Sequence, residues 1–123
     1  MKQLINSLTM LKLSHKNLNV WKKSILLVKE IYLLTRNFPP DEKYGLISQL
    51  RRSAVSVPSN IAEGASRKSE IERKRFYEIA RSSLVEFDTQ IEIAIELEFV
   101  NLNEIEKIEN LANEIFAMLS AMV

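Results

Sequence analysis

Between Tyr44 and Gly64, Ile47, Leu50, Ala54, Val57 and Ile61 recur at steps of three and four, which is one face of a helix. Two residues on, about 200° around the helix axis, Arg52, Ser56, Ser59 and Glu63 form a polar row flanked by Asn60 and Arg67. Ser and Asn are poor helix formers that prefer caps and turns. Such short side chains suit close approach by another backbone or a ligand. They equally suit a kinked helix whose freed carbonyls they satisfy. Pro58 lies in the body of this segment, where it removes a backbone hydrogen bond, crowds the carbonyl of Ala54 and costs about 3 kcal/mol. The apolar period keeps its phase on both sides, which predicts a helix continuing through Pro58 with a bend; a break there is the alternative. Glu63 is placed to pair with Arg67 or Arg52, either gripping a ligand or interface or ordering the kinked helix. Gly64 closes the segment as a left-handed C-terminal cap.

The same periodicity places three more helices around this one. The first starts at Asn19, an N-cap type, with Trp21, Ile25, Val28 and Tyr32 inward and Ile31, Leu34 and Phe38 widening the stripe. Asn37-Phe38-Pro39-Pro40 ends it, because a residue before proline is pushed out of the helical region. Ser69 with Glu72 reads as a capping box opening the third helix. Its inner residues are Phe76, Ala80, Ser83, Phe87 and Ala94, broadened by Tyr77, Leu84, Ile91 and Ile95, which leaves Ile79, Val85 and Ile93 outside as candidate subunit contacts. Asn103 with Glu106 opens the fourth in the same style, with Ile105, Ile108, Ala112, Ile115, Leu119 and Met122 inward. Short connections make consecutive helices antiparallel neighbours. The expected fold is all-α, an antiparallel up-down-up-down four-helix bundle with a kinked second helix. Residues 19–123 form it, and residues 1–18 are an extension, an arm or an accessory helix with Leu4, Leu8 and Leu11 on one face.

Two glycines and three prolines among 123 residues, with 46% hydrophobic residues, agree with long helices and a single core. No cysteine is present, which excludes disulfides and thiolate chemistry and permits a reducing cytoplasm. The N-terminal apolar run is broken by polar residues and is too short to span a membrane. Charge is uneven. Lys and Arg outnumber Asp and Glu by seven to three in residues 1–42 and nine to four in residues 43–81, then fall to one against nine in residues 82–123. The overall net of +1 therefore hides basic and acidic regions, which either attract an anionic partner or neutralise one another within or between subunits.

The run QLRRSAVSVPSNIAEG, with Arg67, Arg75-Phe76 and the segment Ala80 to Glu86, resembles the bacterial proteins encoded in intervening sequences of 23S ribosomal RNA genes. Trp21, Tyr32, Phe38-Pro39 and the segment Glu42 to Leu46 fit the same pattern, so the resemblance covers about residues 18 to 120. It implies a four-helix up-and-down bundle, commonly a ring of five copies, without enzymatic activity and with nucleic acid as the partner class to consider.

Catalytic apparatus is sparse. His15, the sole histidine, falls outside the bundle as read here, so no Ser-His pair forms within it. The Glu-x-x-His pairs of two-metal bundles are missing, and Gly45 and Gly64 stand alone rather than in a phosphate loop. No cofactor, metal or small-molecule substrate is expected, and the protein is read as no enzyme. The candidate nucleic-acid-binding set is Arg51, Arg52, Arg67, Lys68, Arg73, Lys74 and Arg75, extended by Arg81, around the second loop and the helix ends beside it. Ser56, Pro58, Asn60, Glu63 and Gly64 form a structural or interface motif. Phe76 and Tyr77 face the core, which argues against a stacking platform and leaves phosphate contacts. The two functional expectations are an oligomeric RNA- or DNA-binding protein and a protein-interaction scaffold with charge-complementary faces.

Overall fold

The structure is a computed structural model that describes residues 10–123. Helix α1 spans Asn19–Thr35, α2 Leu46–Ala65, α3 Glu70–Glu96 and α4 Glu106–Met122. Short 3-10 turns at Ser14–Asn17, Pro40–Glu42 and Leu102–Ile105 precede α1, α2 and α4. Each helix packs on its neighbour in the chain, α1 also packs on α4, and α2 with α3 is the most extensive pair. This is a four-helix bundle. Leu27 and Ile31 of α1, Leu50, Val57 and Ile61 of α2, Phe87 of α3 and Ile115 and Leu119 of α4 are essentially sealed from solvent.

Helix α2 runs unbroken through Pro58, which is itself buried. The expected stripe of Leu50, Ala54, Val57 and Ile61 is buried, with Ile47 half-buried at its edge. Gly64 departs from expectation. No glycine has positive φ; Gly64 lies within the helix, and a side chain there is excluded because a Cβ would lie 2.8 Å from Tyr77 Cε1 and 3.0 Å from Phe76 Cβ. Gly64 allows α3 to approach and caps nothing.

The inner face of α1 is also not the expected one. Val20, Ser24, Leu27, Ile31, Leu34 and Thr35 are buried, whereas Ile25 and Tyr32 are exposed and Trp21 and Val28 half-buried. Two small polar residues disguise this stripe: Ser24 Oγ donates to the Trp21 carbonyl at 2.7 Å and Thr35 Oγ1 to the Ile31 carbonyl at 2.7 Å. Each hydroxyl spends its donor on its own helix and enters the core without an orphan. Leu18, not Asn19, is the N-cap.

On α3, Ser69 Oγ accepts from the Glu72 N–H at 3.3 Å, as expected. Phe76 and Ser83 are half-buried and Ile79, Val85 and Ile93 exposed. The reciprocal capping box before α4 lies at Asn101 and Glu104 rather than Asn103 and Glu106, because a 3-10 turn leads into the helix. His15 is not outside the bundle. Its turn packs on α1 and α2, and its ring meets Trp21 edge-on at 5.2 Å. Leu11 is exposed; the face drawn through Leu4 and Leu8 lies outside the described residues.

Candidate nucleic-acid interface

The basic residues fall into two groups. Arg51 and Arg52 sit in the first half of α2, and fifteen residues of helical rise, about 22 Å, separate Arg52 from the level of Arg67. Arg67, Lys68, Arg73, Lys74 and Arg75 gather where α2 ends and α3 begins. Within this second group the roles differ. Arg67 pairs with Glu63 at 3.2 Å and lies 4.9 Å over the Phe76 ring. Arg73 Nη1 donates to the carbonyls of Arg67 and Lys68 at 3.1 and 2.7 Å, so it ties the loop to α3. Lys74 meets Glu70 at 3.3 Å, one helical turn away. Lys68 and Arg75 are exposed, and no carboxylate pairs with either among the described residues. Exposed pairs such as Glu63–Arg67 and Glu70–Lys74 contribute at most about 1 kcal/mol, so a phosphate can compete for these cations. Arg81 is committed elsewhere, donating to Ser120 Oγ at 3.2 Å across to α4.

The polar row of α2 meets α3. Ser56 Oγ and Ser83 Oγ lie 2.8 Å apart, and Asn60 Nδ2 donates to the Ser56 carbonyl at 2.8 Å and to Ser56 Oγ at 3.0 Å. Deeper, Ser53 Oγ donates to Gln90 Oε1 at 2.7 Å. Short hydroxyls and Gly64 together bring the two backbones close. Among the described residues, the Glu63 carboxylate pairs with Arg67 and not with Arg52, and it remains exposed. Burial pushes the neighbouring Tyr77 phenol up, against an opposing effect from Arg73.

Arg51 stands differently. Its Nε donates to Thr35 Oγ1 at 2.9 Å, its Nη2 lies 3.5 Å from the Tyr32 carbonyl, and its guanidinium covers the Tyr32 ring at 4.3 Å. With Lys43, Tyr44, Ser48, Arg52 and Val55 it lines an open groove of about 480 Å³ between α1 and α2. Sequence reasoning missed the aromatic side of this groove because Tyr32 was assigned inward and Tyr44 was given no role. The signal available was Tyr44 standing beside Lys43, seven residues before Arg51.

A second cleft, of about 340 Å³, runs between α3 and α4. Phe87, Ile91, Ile105 and Ile108 floor it, and Asp88, Glu92 and Glu109 rim it. Two ion pairs cross between α1 and α4: Lys23 meets Glu114 of α4 at 2.8 Å, and Lys107 of α4 meets Glu30 of α1 at 3.3 Å. Among the described residues, no three His, Cys, Asp or Glu side chains are grouped to hold a metal ion. No helix there is long and apolar enough to cross a membrane.

A family model described as 23S rRNA-intervening sequence protein matches residues 16–121. The chain belongs to that family. The crystal structure of a protein of unknown function from the S23 ribosomal protein family of Bacteroides thetaiotaomicron superposes with a TM-score of 0.75 at 24% identity, covering 84% of this chain and 96% of that one. At that identity the likeness concerns the fold. No curated protein matches the chain. The match begins within the Ser14–Asn17 turn, just after His15, and spans both basic groups.

Proposed function

We propose that the protein is a non-enzymatic, oligomeric member of its family that works in the cytoplasm and binds nucleic acid, RNA or DNA, through its basic end. The observation that carries this reading is the gathering of Arg67, Lys68, Arg73, Lys74 and Arg75 at one end of the bundle, with Lys68 and Arg75 exposed and unpaired among the described residues. Arg73 braces the loop while its neighbours face outward, an arrangement suited to phosphate contacts with little reading of sequence. In a ring each charge is repeated about the axis, so a modest patch becomes a broad positive surface. Binding then falls with salt by roughly 0.7 to 0.9 log units per tenfold change for each phosphate neutralised. The test is a gel-shift titration with RNA and DNA at two salt concentrations, using the parent and a triple Gln variant at Arg67, Lys68 and Lys74. Arg73 is spared because of its loop bonds. Weaker binding and a shallower salt slope are expected. Unchanged binding with the oligomer intact removes this surface from the reading.

The second reading is a protein-interaction scaffold. The acidic-rimmed apolar cleft between α3 and α4 favours it, since that cleft complements a basic end such as the one above. A parent protein that binds neither RNA nor DNA at low salt, yet assembles, selects the scaffold.

A further inference from the structure

We infer that the groove between α1 and α2 is a base-stacking site for single-stranded nucleic acid, with Tyr44 as its open platform. The inference rests on the nucleic-acid reading above but uses a different surface. Three observations meet here. First, the groove carries two exposed aromatic rings, Tyr44 at 88% and Tyr32 at 40%. An exposed ring of this size has no role in the core, and Tyr44 makes no side-chain hydrogen bond among those the structure records. Second, cations accompany both rings: Lys43 Nζ is 5.5 Å from the centre of Tyr44, and the Arg51 guanidinium is 4.3 Å from that of Tyr32. Third, among the described residues no carboxylate lines the groove. Glu42, the acid next in sequence, points its Oε1 at the Leu46 N–H, 3.0 Å away, where it caps α2.

Arg51 is held in place rather than loose. Thr35, buried and bonded back to the Ile31 carbonyl, accepts from Arg51 Nε, so the guanidinium plane is fixed against Tyr32 before any ligand arrives. A fixed guanidinium plane and an open phenol ring are both surfaces on which unpaired bases stack. Arg52 and Lys43, exposed at the mouth, supply charge for the intervening phosphates. Duplex presents its bases already stacked and gains nothing from such rings. A protein partner with an acidic face would use the charges but not the planes. The groove volume lies within the about 300–1,000 Å³ range of ligand clefts.

The experiment measures fluorescence anisotropy of a labelled oligouridylate of about ten nucleotides, within the site sizes of single-strand binders, and of a duplex of equal length. Parent, Tyr44→Leu, Tyr44→Phe and the triple Gln variant at Arg67, Lys68 and Lys74 are compared, each checked by circular dichroism. Tyr44 is on the surface, so its replacement leaves the bundle folded. Tyr44→Leu should weaken single-strand binding roughly 5- to 150-fold and leave duplex binding unchanged, while Tyr44→Phe binds like the parent. Unchanged single-strand affinity in Tyr44→Leu, or an equal loss for both ligands, overturns the stacking site. If binding survives Tyr44→Leu but is lost in the triple variant, the basic end stands and this groove does not. Absence of binding by the parent overturns both.

Discussion

His15 is buried against Trp21, and that burial, assisted by the charge of Lys16, lowers its pKa from the ordinary 6.5. In the unfolded chain the imidazole takes up a proton near that ordinary value; in the folded chain it resists until lower pH. Between the two values the unfolded state binds more protons, so stability is full above about pH 6.5 and falls as pH drops toward the folded value. The urea midpoint should therefore decline from pH 7.5 to about pH 5.5, before most carboxylates titrate. A His15→Phe variant keeps the edge-on ring contact and should show a flatter profile over the same range. Equal slopes in the two proteins would mean that His15 charges freely in the fold. Nothing in the sequence marked this residue as packed, since a histidine between Ser14 and Lys16 has no apolar period around it. Gly64 was misread for a related reason. The left-handed cap falls on Glu98, at φ 61°, where the Phe99 N–H reaches the Ala94 carbonyl and the Glu98 N–H the Ile95 carbonyl, both at 2.9 Å. That is a Schellman closure without its usual glycine, so residue type pointed to the wrong helix end.

Across the α2–α3 pair, the hydroxyl of Ser53 and the amide of Gln90 are a buried polar couple, deeper than the half-buried Ser56–Ser83 contact. Ser53→Ala removes the donor and leaves Gln90 Oε1 in the seam without it, at a cost of about 1–3 kcal/mol. Replacing both partners, Ser53→Ala with Gln90→Leu, should recover most of that loss, because no polar atom is then stranded. A double-mutant cycle in urea reads the coupling directly; additive effects would show that water replaces the missing hydroxyl. Helix α2 itself was legible because Leu50, Ala54, Val57 and Ile61 mark its buried face despite Ser53 beside them, and their unbroken phase outweighed Pro58. Helix α1 was legible in extent and not in orientation. Its core side is interrupted by Ser24 and Thr35, while Ile25 and Tyr32 made a false stripe outside. That error hid the groove, since a tyrosine assigned to the core leaves Arg51 without its ring. The basic residues were countable from the sequence, and their separation into two groups follows from the length of α2 between Arg52 and Arg67.

At the scale of the molecule, charge gathers in patches of opposite sign, with the Lys43, Arg51 and Arg52 groove as a further basic patch on the α1–α2 side. The α2–α3 loop end carries Arg67, Lys68, Arg73, Lys74 and Arg75, and the opposite end carries Glu96, Glu98, Glu104 and Glu106. Unlike patches of this kind suit head-to-tail or side-by-side contacts, the kind that closes into a ring. Exposed apolar residues are where such a contact is expected: Val85 and Phe116, beside the α3–α4 cleft, are 52% and 42% exposed. Ile79 and Ile93 stand exposed further along α3. Light scattering should therefore give a mass that is a multiple of 14.2 kDa, five copies on the family resemblance. Val85→Asp with Phe116→Asp places two charges in that contact while touching no sealed core position, so the variant should fall to the monomer mass with its helical circular dichroism retained. High salt should weaken the parent assembly in part, since opposite charges at its rim are screened, whereas the apolar contribution persists. A monomeric parent at micromolar concentration refutes the oligomer altogether; a trimer or hexamer refutes the count; and an intact oligomer in the double variant moves the contact away from the α3–α4 cleft.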